Sequence, residues 1–310
     1  MSIDLPFPSA LNPQVDLLDE HLAVVAGRCA GNSTAELKRW RAVQFDRLAA
    51  RMYPEAPIDL LALTAEALVW LFEYDDCLVG LPPEAGRLEA RELMRSTAWI
   101  LSGGQTRRPA HPMGLLSDVC GRARTIAGRA WWFRFSRDVQ DFADLMYEEG
   151  CSRAEHRLPS PGSYRQLRRG TSGWALLTDL AELAGGGPLP DDVVSCEHYH
   201  RLRWAAGDVA CAVNDLLSYP KELAAQEYHN LVMVLQHSRR VSVAEAKEMV
   251  TETIRERLDD YQLARDEFLR WRPSAAGYVR AVEHLMRGSL DWSLECGRYP
   301  ALVDGGRDHG

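Results

Sequence analysis

The sequence predicts an all-α protein with a single domain, an antiparallel helical bundle spanning residues 1–310. Three observations support this fold class. Apolar residues recur at helical spacing through nearly the whole chain, alternating strand-like runs are absent, and no Pro/Gly/Ser-rich linker divides the 310 residues. A chain of this length can bury one large core, so we expect ten or eleven helices packed around it.

The individual helices follow from periodicity, and turn signals such as Pro54, Pro82-Pro83 and Pro273 mark their ends. Residues 1–13 contain three prolines and are predicted to form an ordered extended strap. Residues 300–310 are expected to be a disordered tail. The predicted helices are 14–30, 34–51, 58–76, 84–103, 115–127, 131–152, 163–184, 191–219, 226–236, 242–270 and 274–297.

Composition narrows the class of protein. The net charge is −8 and there are only three lysines, which argues against a nucleic-acid partner. The seven cysteines are dispersed and include no C-x-x-C pair, which favours a reducing compartment and argues against structural zinc. The N-terminus lacks the pattern of a signal peptide, and no long apolar run occurs. These features predict a cytoplasmic protein without membrane insertion.

The late helix carries a polar column made by Asn214, Ser218 and Glu222. Residues four apart lie on one helix face, so an amide, a hydroxyl and a carboxylate form a row of oxygen ligands. Such a set suits Mg²⁺ rather than zinc, although the same spacing also occurs on ordinary solvated faces. Lys221 flanks the column and can reach a phosphate. Pro220 is expected to kink or end the helix before Glu222.

The third predicted helix is apolar nearly all round and ends in Asp75-Asp76. It should therefore be internal. Adjacent carboxylates at the end of a buried helix are costly unless they are compensated, and a divalent cation is the usual compensation. The alternative is that the helix emerges into water at this point.

Two further stretches contain arginine beside unusual neighbours. Arg168 and Arg169 precede Gly170 and Gly173, which predict a helix break or a close approach within an otherwise helical pattern. Because arginine binds phosphate bidentately, this pair can belong to a phosphate site. The simpler interpretation is a solvent-exposed arginine face. At the end of the last helix, Arg298-Tyr299 places a guanidinium beside a phenol.

Aromatic residues are frequent in the predicted helices. Such stripes usually belong to a core, but ring faces also attract cations without offering a lone pair. The rings that can contribute to one wall are Trp70, Phe72, Trp99, Trp174, Trp204 and Trp292.

Taken together and in this order, these motifs resemble those of the bacterial class I terpene synthases (terpene cyclases). Asp75-Asp76 is similar to the aspartate-rich motif of that family. Asn214, Ser218 and Glu222, with Lys221, match its N-D-x-x-S-x-x-K-E metal motif without a gap. The resemblance covers the chain from about residue 5 to residue 300, and its combination of motifs is specific.

The remaining motifs also have counterparts in the family. Arg169, Ser172 and Gly173 resemble its diphosphate sensor, linker and effector positions, and Arg168 is the alternative sensor because the doubled arginine leaves the register open. Arg298-Tyr299 resembles the terminal Arg-Tyr pair. One departure is clear: the motif usually contains a third acid, but here the next acid after Asp76 is Glu84.

The resemblance implies an Mg²⁺-dependent lyase that ionises and cyclises a linear prenyl diphosphate, with farnesyl diphosphate favoured and geranylgeranyl diphosphate close behind. Three Mg²⁺ ions and a possible homodimer are also implied. A chain-elongating prenyl diphosphate synthase and a non-catalytic isoprenoid-binding protein are the alternatives. The implied roles are catalysis by Asp75, Arg169, Arg298 and Tyr299, metal binding by Asp75, Asp76, Asn214, Ser218 and Glu222, diphosphate binding by Arg168, Arg169, Lys221, Arg298 and Tyr299, and a pocket wall formed by Phe72, Trp174 and Trp292.

Overall fold

A computed structural model describes residues 3–29, 34–78, 81–106, 112–155, 157–296 and 298–299. These residues form α-helices, one 3-10 turn and connecting loops, without a β-strand, which confirms the all-α prediction. The helices are α1 Val15–Cys29, α2 Thr34–Val43, α3 Phe45–Met52, α4 Ile58–Asp76, α5 Pro83–Leu101, α6 Pro112–Ile126, α7 Gly128–Ala154, α8 Pro161–Thr171, α9 Trp174–Ala184, α10 Asp191–Val194, α11 Glu197–Ala224, α12 Leu231–Arg239, α13 Val243–Trp271 and α14 Ala276–Glu295.

Helix α4 lies in the centre of the bundle. Every residue from Leu60 to Leu71 is buried, and the helix contacts α1, α3, α6 and α9. A helix that is apolar all round can be stable in water only when neighbours cover each of its faces. The internal position predicted from its sequence is therefore confirmed. The helix runs through the core and ends at Asp75-Asp76.

The predicted helix 163–184 is two helices, because α8 ends at Thr171 and α9 begins at Trp174. Gly173 has a φ of +67°, a left-handed conformation that suits glycine. At Gly170, a Cβ atom would come within 1.9 Å of the Leu145 side chain, so α8 lies very close to α7 there. The glycines thus produce the expected break and also the expected close approach.

The predicted helix 191–219 begins at the correct residue, but it is interrupted after Val194 and ends later than predicted. The structure has the single turn α10 and then α11, which continues through Pro220 to Ala224. Proline removes one backbone donor, but tertiary contacts can hold the turn beyond it. Here Asn230 Nδ2 donates to Glu222 Oε2 at 2.8 Å. Consequently Asn214, Ser218 and Glu222 all belong to one helix.

The predicted helix 34–51 is also divided, since Gln44 has a φ of +60° between α2 and α3. Residues 3–14 form no helix, and Leu5 and Phe7 are buried there. Arg287 of α14 donates to the Leu5 carbonyl at 3.1 Å. The predicted tail, residues 300–310, lies outside the described residues. In the part of the chain that the structure describes, no helix combines the length and the hydrophobicity of a membrane span.

Candidate active site

The bundle encloses a cavity of about 210 Å³ between α3, α4, α7, α8, α9, α11 and α14. One water molecule needs only ~10–15 Å³, so the cavity has room for a much larger ligand. Its apolar lining includes Leu48, Leu68, Phe142, Met146 and Leu177.

The cavity changes from apolar to polar along its helices. On α4 the lining runs from Leu68 to Asp75, and on α7 it runs from Phe142 to Arg153. On α11 it ends in Glu222. In each case the polar residues lie near the C-terminal end of the helix, where the helix dipole carries partial negative charge. The polar end of the cavity therefore favours bound cations.

The polar column on α11 faces this end. Asn214 and Glu222 line the cavity, whereas Ser218 is buried behind the lining and only 1% exposed. Burial, together with the charge of Asp215, raises the pKa of Glu222. The Ser218 hydroxyl lies close to the Glu222 carboxyl and opposes this rise in pKa. An amide, a hydroxyl and a carboxylate are thus grouped on one helix, and such oxygen donors suit Mg²⁺.

Asp75 and Asp76 have different surroundings. Asp75 lines the cavity, and burial raises the pKa of its carboxyl. Asp76 is absent from the lining and accepts hydrogen bonds from Arg298 at 2.9 Å and Arg39 at 3.1 Å. Burial alone would raise the pKa of Asp76, but Arg298 and the other nearby cations lower it. The structure therefore places the first aspartate, and not the second, at the cavity.

The two adjacent arginines of α8, between which the sensor role was left open, point to different places. Arg168 lines the cavity and donates to Asn214 Oδ1 at 2.8 Å and to Asp215 Oδ1 at 3.1 Å. Arg169 is absent from the lining and forms two hydrogen bonds of 2.7 Å with Asp208. Successive helical residues are rotated by about 100°, so only one arginine of the pair can face inward.

Arg298 and Tyr299 both line the cavity. The Arg298 guanidinium lies 4.7 Å from the centre of the Phe72 ring while it donates to Asp76. Tyr299 accepts a hydrogen bond of 3.1 Å from Asn214 Nδ2, and burial raises its pKa to about 12. The phenol therefore stays protonated at neutral pH and can donate a hydrogen bond to an anion.

Three rings predicted for the wall, those of Phe72, Trp174 and Trp292, line the cavity. Phe72 and Trp292 pack edge to face, with ring centres 5.7 Å apart. Two of the other rings are placed differently, since Trp99 is 57% exposed on α5 and Trp70 is buried away from the lining. A helical pattern identifies aromatic residues but not the side of the helix that meets a cavity.

The junction between α8 and α9 adjoins the cavity. Ser172 is part of the lining, and its hydroxyl accepts a hydrogen bond from the Trp174 backbone N–H at 3.2 Å. Gly173 is the left-handed N-cap of α9 and lies behind the lining. A Cβ atom at this position would come within 2.7 Å of the Leu71 side chain. The junction thus links the arginine of α8 to the indole of α9.

Polar residues at the cavity that were not predicted from the sequence include Glu149, Arg153, Glu227 and His229. Arg153 pairs with Glu149 on α7 and lies 3.0 Å from Glu227. Burial raises the pKa of Glu227 to about 7. The helical spacing of Phe142, Glu149 and Arg153 was an available signal, because it extends an aromatic face into charged residues. Glu227 and His229 lie in a loop, where no periodicity exists to indicate their direction.

Formal charges in the lining are balanced. Four carboxylates, from Asp75, Glu149, Glu222 and Glu227, face four cationic side chains, from Arg153, Arg168, Lys221 and Arg298. With a pKa of about 7, Glu227 is only partly ionised at neutral pH, so the protein supplies little net positive charge to a multiply charged anion. Additional cations would help to hold such an anion. The described residues contain no trio of His, Cys, Asp or Glu arranged for a metal. The available ligand set is one of mixed oxygens, which suits Mg²⁺.

Comparisons with known proteins agree with this geometry. The family model for terpene synthase family 2, C-terminal metal binding, matches residues 66–260. (−)-Delta-cadinene synthase of Streptomyces clavuligerus is 30% identical, with 92% of this chain and 90% of that protein covered. Pristinol synthase of Streptomyces pristinaespiralis is 29% identical, with 99% of this chain and 87% of that protein covered.

Solved structures show the same fold. A single-residue variant of cucumene synthase matches with a TM-score of 0.83 and 25% identity, covering 96% of this chain and 100% of that one. Germacradien-4-ol synthase from Streptomyces citricolor matches with a TM-score of 0.81 and 24% identity, covering 94% of this chain and 98% of that one. The family match spans more than half of the chain and includes both Asp75 and the α11 column. This protein therefore belongs to the class I terpene synthases, the lyases that cyclise prenyl diphosphates.

Proposed function

We propose that this terpene synthase uses Mg²⁺ to ionise and cyclise farnesyl diphosphate, with release of diphosphate, and that geranylgeranyl diphosphate is the second candidate substrate. The observation that carries the proposal is a single cavity in which an apolar, ring-lined part meets a polar end. Oxygen ligands from α4 and α11 and cations from α7, α8, α11 and the chain after α14 all line that cavity. A diphosphate with a long hydrocarbon chain has the same two parts.

We propose three Mg²⁺ ions in total, the number that the family resemblance implies. Asn214, Ser218 and Glu222 would hold one of them, and Asp75 would hold the others. Glu149 also lines the cavity, and its charge acts on Asp75, whose motif lacks the third acid. When bound, Mg²⁺ neutralises charge that develops on a departing diphosphate.

The cationic side chains bind and orient the diphosphate. Arg168 takes the sensor role in place of Arg169, since only Arg168 lines the cavity. Arg298 and Tyr299 also line the cavity and are expected to donate to the diphosphate oxygens. Lys221 also lines the cavity, so its charge is available to a ligand there. Heterolysis of the allylic C–O bond then leaves a carbocation and a bound diphosphate.

The apolar part of the cavity controls the carbocation. Phe72, Trp174 and Trp292 present rings whose π-electrons stabilise positive charge without forming a bond to it. Aliphatic residues such as Leu68 and Leu177 exclude water and fold the hydrocarbon chain. Loss of a proton or capture of water ends the sequence of cations.

Names of relatives support the farnesyl chain length. The (+)-T-muurolol synthase of Roseiflexus castenholzii and the 4-epi-cubebol synthase of Streptosporangium roseum are described as (2E,6E)-farnesyl diphosphate cyclizing, and each is 29% identical to this chain. Both matches cover 95% of this chain.

Incubation with geranyl, farnesyl and geranylgeranyl diphosphates in Mg²⁺, followed by gas chromatography and mass spectrometry, tests the proposal. A cyclic C15 product that requires Mg²⁺ is the expected result. A longer linear diphosphate formed only with added isopentenyl diphosphate would indicate chain elongation instead. Binding of the substrates without any product would indicate an isoprenoid-binding protein.

A further inference from the structure

A buried polar bridge lies behind the cavity lining and connects its two kinds of ligand. Asp215 is 1% exposed and Asn230 is 0% exposed, and neither residue lines the cavity. Asp215 follows Asn214 on α11, whereas Asn230 is the N-cap of α12. Burial of polar side chains is costly unless each polar group is paired, so the partners of these two residues indicate what the bridge holds.

Asp215 holds the inward-facing arginine. Its Oδ1 accepts a hydrogen bond of 3.1 Å from Arg168 Nε, while its Oδ2 accepts from the Tyr164 hydroxyl at 2.6 Å and from the Leu231 backbone N–H at 3.1 Å. With both oxygens engaged, the carboxylate has a single orientation. Arg168 is thereby directed towards Asn214, to which its Nη2 donates.

Asn230 holds the carboxylate at the other end of the column. Its Nδ2 donates to Glu222 Oε2 at 2.8 Å and to the Asp215 backbone carbonyl at 2.7 Å. Its Oδ1 accepts from the Val232 backbone N–H at 2.8 Å and so caps α12. Both amide hydrogens and the amide oxygen are therefore used, which leaves the side chain one orientation.

The position of Glu222 depends on this contact more than helix geometry alone would suggest. Pro220 lies between Ser218 and Glu222 and removes a backbone hydrogen bond from that part of α11. The turn that carries Glu222 is consequently less constrained by its own helix. Asn230 replaces part of the missing constraint, because it joins Glu222 to the backbone of Asp215 before the proline.

We propose that Asp215 and Asn230 are positioning residues, which hold the diphosphate-binding Arg168 and the metal-binding Glu222 in a fixed relation. This inference rests on the proposed function, in which Arg168 binds diphosphate and Glu222 binds Mg²⁺. Groups that orient a metal ligand from behind change metal affinity when they are lost, even though they never touch the metal. A purely structural role would instead reduce stability and leave the affinities of the folded protein unchanged.

The role of Asn230 is tested by measuring Mg²⁺ affinity, with titration calorimetry of the full chain in the presence of inorganic diphosphate. Asn230→Ser keeps an oxygen that can cap α12 but removes the donor to Glu222. We expect Mg²⁺ affinity to fall by about 10–100-fold.

Asn12→Ser is the matched control. Asn12 is 1% exposed, its Nδ2 donates to the Tyr53 and Ala56 carbonyls, and its Oδ1 accepts from the Gln14 backbone N–H at 3.0 Å. The substitution therefore removes two hydrogen bonds donated by a buried amide at a residue that does not line the cavity. Its stability should fall, but its Mg²⁺ affinity should equal that of the wild type.

The role of Asp215 is tested by measuring the affinity for inorganic diphosphate at saturating Mg²⁺. Asp215→Asn weakens the hold on Arg168, and we expect diphosphate affinity to fall by about 10-fold or more. Asp208→Asn is the control, because Asp208 forms the equivalent pair with Arg169 outside the cavity. Tyr164→Phe provides a milder change to the same carboxylate if Asp215→Asn does not fold.

Folded Asn230→Ser and Asp215→Asn variants with wild-type affinities would overturn the inference. An equal loss of affinity in Asn12→Ser or Asp208→Asn would also overturn it, since any loss of stability would then suffice. These results leave the proposed function intact, because the wild type still binds Mg²⁺ and diphosphate. Failure of the wild type to bind diphosphate with Mg²⁺ would overturn the proposed function and, with it, the inference.

Discussion

At the scale of single residues, the polar end of the cavity depends on which side chain of each adjacent pair faces inward. Asp75 and Arg168 line the cavity, whereas their neighbours Asp76 and Arg169 are paired with charged groups elsewhere. Each inward residue therefore has an adjacent residue of the same type. These pairs allow the proposed chemistry to be tested with closely matched substitutions.

Loss of a proposed metal ligand should abolish turnover. For Asn214→Ala and Asp75→Ala, we expect kcat/KM to fall by at least ~100-fold, which corresponds to about 2.7 kcal/mol of transition-state stabilisation. Steady-state kinetics with farnesyl diphosphate measures the loss, and far-UV circular dichroism checks that the helices remain. Near-normal activity in both variants would contradict the proposed metal sites.

The two arginines of α8 should differ sharply in importance. Arg168→Ala removes a cation from the cavity, so we expect kcat/KM to fall by at least ~100-fold. Arg169→Ala should retain most activity, because Arg169 lies outside the lining. Each substitution leaves a buried aspartate without its arginine partner. The two variants should therefore lose similar amounts of stability, and a difference in activity would reflect the cavity. A greater loss in Arg169→Ala would return the sensor role to that residue.

At the scale of helices, the break between α8 and α9 determines how the proposed diphosphate-binding residue Arg168 and the proposed hydrocarbon-binding residue Trp174 are placed relative to each other. Arg168 precedes the break and Trp174 follows it, and both line the cavity. A continuous helix would direct these two residues differently, because each additional residue rotates the face by about 100°. The left-handed Gly173 and its tight contact with Leu71 maintain the change of direction.

Gly173→Ala should disturb this junction. An alanine at φ +67° costs about 1–2 kcal/mol, and its Cβ would also approach Leu71 to 2.7 Å. We expect lower free energy of unfolding in urea and reduced kcat. Gly162→Ala in the first turn of α8 meets no atom within 4 Å and should leave both quantities unimpaired. Unchanged stability in Gly173→Ala would show that α9 can start without a left-handed residue.

At the scale of the whole molecule, the helices converge so that their C-terminal ends surround one polar region. Carboxylates and cationic side chains balance there, and the partial negative charge of the helix ends adds to the carboxylates. We therefore expect this cavity to hold a diphosphate tightly only together with metal cations. Substrate binding and metal binding are expected to be interdependent.

Inorganic diphosphate should stabilise the protein much more with Mg²⁺ than without it. A ligand at 100 times its dissociation constant adds about 2.7 kcal/mol to the free energy of unfolding. We expect thermal unfolding to shift upward when Mg²⁺ and diphosphate are both present and to return when EDTA is added. Equal stabilisation by diphosphate in EDTA would contradict the argument from charge balance.

Local patterns in the sequence were enough to predict the all-α class, the internal position of α4, the break near Gly173 and the spacing of the α11 column. Each of these features depends on residues within a few turns of one helix, where backbone geometry relates sequence distance to direction. The continuation of α11 past Pro220 was not predictable, because a contact from Asn230 supports the turn beyond the proline.

The sequence by itself therefore determined which helices form, and which residues share a face within each helix. Only the tertiary structure decided that Arg168 and not Arg169 faces the cavity, that Asp76 pairs with Arg298, and that Glu149 and Glu227 join Asp75. The reason is that the rotation of a helix about its own axis, and the path of a loop, are set by packing against elements distant in the chain.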